Sequence, residues 1–168
     1  SGTVGMMAHS SLVIANEFIR RSLQSGCPIT QMQVQKLVYF AHGWYLAVTG
    51  NRLVEDQVQA WDFGPVFPTL YSALRKFGRN PIDRVLRWGE DTPFNFDDAG
   101  EAIEVMAPEE SAIIDQVWNA YGRFPAFKLS ALTHEPGTPW EAAFEGGKNR
   151  PIADADIKSY FYNLMQAA

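Results

Sequence analysis

Three short stretches set titratable side chains among aromatic and backbone-restricting residues, the surroundings that displace a pKa from its ordinary value. The first is QKLVYF at residues 35–40, which carries Lys36, Tyr39 and Phe40. The second is AWDFGPVFP at residues 60–68, where Asp62 stands between Trp61 and Phe63 and is followed by Gly64, Pro65 and Phe67. The third is LTHEPGTPW at residues 132–140, with His134 and Trp140. Lys36, Asp62 and His134, gathered with Trp140 around a cavity, would make a small enzyme working by proton transfer. The same groups also have a structural use, in which Lys36 pairs with Asp62 and His134 caps or bridges near Trp140. A docking use is open too: Phe63, Val66, Phe67 and Tyr71 are more apolar surface than a short loop buries, and such residues anchor protein partners.

Other chemistry finds no support in the residues. There is no glycine-rich phosphate loop, no paired-cysteine zinc pattern, no histidine pair at metal spacing and no G-x-S-x-G elbow. His9, His42 and His134 are scattered, so neither a metal nor a cofactor is expected. Cys27 is the single cysteine, which excludes an intramolecular disulfide and suits a reducing cytoplasm.

The elements that must position these stretches are helical. Residues 30–50 are apolar around most of a helix circumference, with Thr30 and Gly50 as end signals, and predict a buried central helix. On that helix Gln31, Gln35 and His42 form a narrow arc expected to meet water, while Lys36 projects among apolar neighbours and must reach solvent or an acid. Helical spacing also predicts an amphipathic helix from Ser10 or Ser11 to about Gln24, and further helices over residues 69–77, 108–122, 126–134, 140–144 and 154–165. Asp154 is available as the cap of the last one. After Gly50 the pattern reads as a turn or short strand leading into a loop, and residues 85–88 and 103–106 read as a small hairpin. The fold class is therefore mainly α: a single compact helical domain around a buried central helix, with a small β-hairpin or short-strand element.

The chain has 168 residues, 46% hydrophobic and 13% aromatic, enough for one core. Residues 1–6 read as a cloning remnant and residues 7–168 as the domain. A net charge of −5 with dispersed acids makes nucleic acid a poor partner; an autorepressor would need Arg20, Arg21, Arg75, Lys76, Arg79, Arg84 and Arg87 on one face. No apolar run reaches the ~18 residues of a membrane span.

Taken in order, QKLVYFAHGWYLAVTG, AWDFGPVFPTLYSALRKFG, LSALTHEPGTPW and the final I-x-x-YF of Ile157 to Phe161 resemble the Panacea antitoxin domain family of SocA- and GepA-like proteins. The resemblance runs from about Ala15 to Phe161. Its pattern falls on Gln35, Lys36, Leu37, Tyr39 and Phe40, on Trp61, Gly64, Pro65, Val66 and Pro68, and on Thr133, His134, Pro139 and Trp140. Phe63 stands where the family more often has tyrosine, which removes a hydroxyl. The resemblance implies an antitoxin that neutralises a cognate toxin protein by direct binding, and in one branch a proteolytic adaptor that delivers the toxin to an ATP-dependent protease. Residues 79–107 carry no family signature and become the candidate for choosing the toxin.

Overall fold

A computed structural model describes residues 7–94 and 99–168. Residues 1–6, read above as a remnant, lie outside them. Helix α1 (Ser11–Ser25) starts where the Ser10 hydroxyl accepts the Leu12 amide at 3.2 Å, and ends at Gly26 in the left-handed region. Helix α2 (Gln31–Thr49) closes at Gly50, also left-handed, but its start differs from the expected one. There the Gln33 side chain reaches back to accept the Thr30 amide at 2.8 Å, so the cap is carried by the third helical residue.

Two short strands, β1 (Gln59–Trp61) and β2 (Gly64–Val66), pair antiparallel and are followed by α3 (Pro68–Leu74) with a 3₁₀ turn over Arg75–Phe77. Then come α4 (Pro108–Tyr121), α5 (Ala126–His134), α6 (Pro139–Glu145), β3 (Arg150–Pro151) and α7 (Asp154–Ala167). The sheet order is β2-β1-β3. The stretch after the central helix, read as a short strand running into a loop, is thus a full hairpin. The hairpin expected over residues 85–88 and 103–106 is reduced to one bridge, Arg87 with Glu101.

Helix α2 is the centre of the core, flanked by α1, α4, α7 and the β1–β2 hairpin. Gly43 permits the closest approach: a Cβ there would lie 2.2 Å from the Phe161 ring of α7. That ring packs edge-on against Tyr39, Phe40 and Trp44. Burial this complete overturns the expected polar arc, since Gln35 is 3% and His42 1% exposed. His42 is satisfied from two sides. The Val54 amide donates to Nδ1 at 3.2 Å, which leaves Nε2 as the donor to Asp154, 2.9 Å away. Asp154 therefore spends its carboxylate on His42 and on Arg52 at 2.8 Å instead of capping α7.

Asn16, fully buried on α1, holds the chain around Leu86 and Ala102 to the core. Its amide nitrogen donates to the carbonyls of Leu86 (2.8 Å) and Ala102 (3.1 Å), and its oxygen accepts the Leu86 amide at 2.7 Å. A single side chain thus completes a ladder that the two segments do not close themselves.

Candidate functional site

The three motif stretches meet at the β1–β2 hairpin. Along its course the carbonyls of residues 61, 63, 65 and 67 each accept a side-chain donor from another helix. Trp140 of α6 donates its indole N–H to Trp61 at 2.6 Å, and Ser130 of α5 its hydroxyl to Phe63 at 2.6 Å. Lys36 donates to Pro65 at 3.0 Å, and the Gln35 amide to Phe67 at 3.1 Å. Gln35 also accepts the Phe67 N–H at 3.0 Å, so it holds both backbone groups of one residue. A buried amide that exchanges two hydrogen bonds with a backbone fixes position as well as satisfying polarity.

Gly64 is the point of closest fit. Its φ is +114°, and a Cβ would stand 2.7 Å from the Thr133 hydroxyl and 3.1 Å from Lys36 Nζ. No side chain can occupy that position while Lys36 reaches Pro65. Thr133 in turn donates back to Ser130 of its own helix at 2.7 Å.

Lys36 is completely buried, and the loss of solvent brings its pKa down to about 7. The expected pairing with Asp62 is absent. Asp62 is exposed and lies 3.6 Å from Lys148, whereas the lysine points into the core and is met by a carbonyl. His134 packs on Trp140 with ring centroids 4.4 Å apart. Its Nε2 is buried with no hydrogen-bond partner, and burial followed by the charge of Lys36 lowers its pKa. Of Lys36, Asp62 and His134, only Asp62 borders the cleft described next.

The aromatic candidates divide. Phe67 is 0% exposed and Val66 5%, both inside, because Gln35 pulls the backbone at residue 67 onto α2. Neither serves as an exposed anchor. Tyr39 and Phe40 are likewise core residues packed around Phe161. Phe63 at the hairpin tip is 67% exposed, and Trp61 and Tyr71 are half-buried with ring centroids 5.0 Å apart. Together with Met32 of α2 these three wall a cleft of about 630 Å³, rimmed by Arg79, Lys148 and Asp62. Sequence reading missed Met32, Ser130 and Gln35 as parts of this assembly. Gln35 lay inside a motif stretch, but nothing local to Ser130 pointed to a carbonyl 67 positions away.

Four of the seven basic side chains required of a nucleic-acid surface are held in ion pairs. Arg20 and Arg21 pair with Glu17 and Asp115, and Lys76 and Arg84 with Glu90. Burial works against the charge on Glu90, but hydrogen bonds from Arg84, Lys76 and the Arg87 amide outweigh it and bring the pKa to about 2. Among the described residues, no group of three or more His, Cys, Asp or Glu could hold a metal, and no helix is long and apolar enough to cross a membrane.

Fold and site define a class: a mainly helical domain in which side chains from the helices hold the backbone of a short hairpin beside an aromatic-walled cleft. The family described as "Antitoxin SocA-like, Panacea domain" matches residues 34–141, a span that contains all three motif stretches. The chain is also 32% identical, over 157 residues, to the Antitoxin SocA of Caulobacter vibrioides (strain NA1000 / CB15N), with 88% of this chain and 80% of that protein covered. It belongs to the SocA-like antitoxins of the Panacea domain family. No solved structure matches it.

Proposed function

We propose that this protein neutralises a cognate toxin protein in the cytoplasm by binding it directly, with the cleft walled by Met32, Trp61, Phe63 and Tyr71 as the principal contact. The observation that carries this reading is Phe63, a large aromatic left 67% exposed on a hairpin whose backbone is fixed from four sides. An anchor that is already ordered loses little conformational entropy when it is buried by a partner. Antitoxin membership supplies the kind of partner, and the half-buried Trp61 and Tyr71 supply the apolar surface that a central contact needs. Residues 79–107 contribute to the choice of toxin, because the motif residues are consumed in building the scaffold.

Co-expression with the protein encoded beside it, tagging only that neighbour, tests the reading. A neighbour that arrests growth alone, is rescued by this chain and elutes with it in fixed stoichiometry supports direct neutralisation. Rescue with no complex contradicts it. Following toxin abundance after translation is stopped separates two modes: a stable toxin in the complex means blocking, and loss that depends on an ATP-dependent protease means the antitoxin acts as an adaptor.

A further inference from the structure

Residues 101–106 show a two-residue alternation. Ala102 is buried, Glu104 reaches His9 at 2.8 Å and Met106 packs on the core, while Glu101, Ile103 and Val105 face solvent, Val105 at 93% exposure. That period is the period of an extended chain. On its inner side the start of the segment is held, with the Trp88 amide donating to Gly100 at 3.0 Å and the Ala102 amide to Leu86 at 2.9 Å. Beyond Ala102 the pairing stops. Among the described residues, the backbone N–H and C=O groups of Ile103, Glu104, Val105 and Met106 have no hydrogen-bond partner. Unpaired backbone beside exposed β-branched side chains is a template for a further strand.

Charge says what fits there. Glu101, Glu104 and Glu109 are exposed around the segment, and among the described residues His9 pairs with Glu104. A second copy of this chain would bring the same acids to both sides of one ribbon, an arrangement that like charges oppose. A basic strand from another protein meets complementary charge.

We infer that residues 101–106 are a second contact with the toxin, taking an extended basic segment of it as an added strand that hydrogen-bonds to Ile103 and Val105 and sets Lys or Arg against Glu101, Glu104 and Glu109. This rests on the toxin-binding reading above. None of these residues borders the cleft, so the two contacts fail separately.

The test uses the full chain and the purified product of the adjacent gene. Amide hydrogen exchange at residues 103–106 is expected to be fast in the free protein and to slow in the complex. Val105→Pro, which removes a donor the free protein does not use, is expected to weaken binding by roughly tenfold or more with an unchanged melting temperature. Glu101→Lys, on an exposed side chain, is expected to slow association and to flatten its salt dependence. Fast exchange in the complex, or wild-type affinity in Glu101→Lys, overturns the added strand while leaving the cleft contact standing. Failure of the wild-type pair to associate at all overturns both. Should Val105→Pro not fold, the exchange pattern and Glu101→Lys still decide.

Discussion

Between Trp61 and Phe67 every second carbonyl is taken by a side chain from another helix, whereas between Ile103 and Met106 no backbone group is taken at all. Both regions are poor in regular structure, and both carry exposed apolar residues. They differ in what holds them. Four separate donors determine the hairpin, and they come from the motif stretches or from α5 and α6 next to them. Around Leu86 and Ala102 the chain is tied to the core by the buried Asn16 amide, with the Ile82 amide on Ile29 and Glu104 on His9 as further ties, and Glu90 with its cations tightens the local surface. A region fixed at many points presents the same wall to any partner, while a region fixed at few points is free to differ in sequence without cost to the core. The motif residues and the segment proposed to choose the toxin are in this way separated in space.

Gly64→Ala attacks the rigid region at its tightest point and is expected to have the largest effect. The added Cβ meets Thr133 and Lys36, and φ is +114°, so a loss of about 3 kcal/mol is expected by chemical denaturation. A loss within ~0.5 kcal/mol would show that the hairpin shifts freely, and the contrast between the regions would disappear.

Asn16→Ala attacks the other region. It leaves the Leu86 amide and the Ala102 carbonyl without their partner and takes one of two donors from the Leu86 carbonyl, and about 2 kcal/mol should be lost. Hydrogen exchange should accelerate at Leu86 and its neighbours and stay slow in β1 and β2. Equal acceleration in both places would mean that they unfold together.

Lys36 sharpens the comparison through pH. Its folded pKa is about 7 against an ordinary 10.5, so between these values the unfolded chain binds more protons than the folded one. Stability contributed by this group therefore rises with pH across that window, by at most ~1.4 kcal/mol per pH unit. Subtracting the melting curve of Lys36→Met from that of the wild type isolates the effect, because methionine keeps much of the volume and none of the charge. A difference that stays flat from pH 7 to 10 would place the lysine in contact with water or an acid. His9 behaves in the opposite sense. Burial opposes its charge, but hydrogen bonds to Glu104 and Glu110 prevail and raise its pKa. Its contribution is complete below about 6.5 and fades as pH rises through the raised value, and His9→Gln should remove that fade.

Much of this architecture is legible in the sequence because helices announce themselves locally. The α4 and α5 boundaries follow from Pro108, Gly122 and Pro125, and the all-round apolar pattern of residues 30–50 marks the central helix. Strand β2 was hidden because Gly64-Pro65 reads as a turn, and only its pairing with β1 makes it a strand. Lys36 stands out in the sequence, yet the reading offers it only solvent or an acid, since sequence displays side chains and not carbonyls. Asn16 looked like a solvated residue between Ala15 and Glu17. Its partners lie 70 and 86 residues away, beyond any periodicity. Phe67 is open between anchor and core in the sequence for the converse reason: the side chain after Gly-Pro-Val gives no sign that Gln35 holds its backbone.

The most direct measurement is the affinity of Phe63→Ala for the toxin, taken together with its melting temperature. Phe63 is 67% exposed, so folding stability should change by no more than ~0.5 kcal/mol. Binding should weaken by ~2 kcal/mol or more, about thirtyfold. A variant that folds normally and binds as tightly as the wild type would contradict the cleft as the place where this antitoxin meets its toxin.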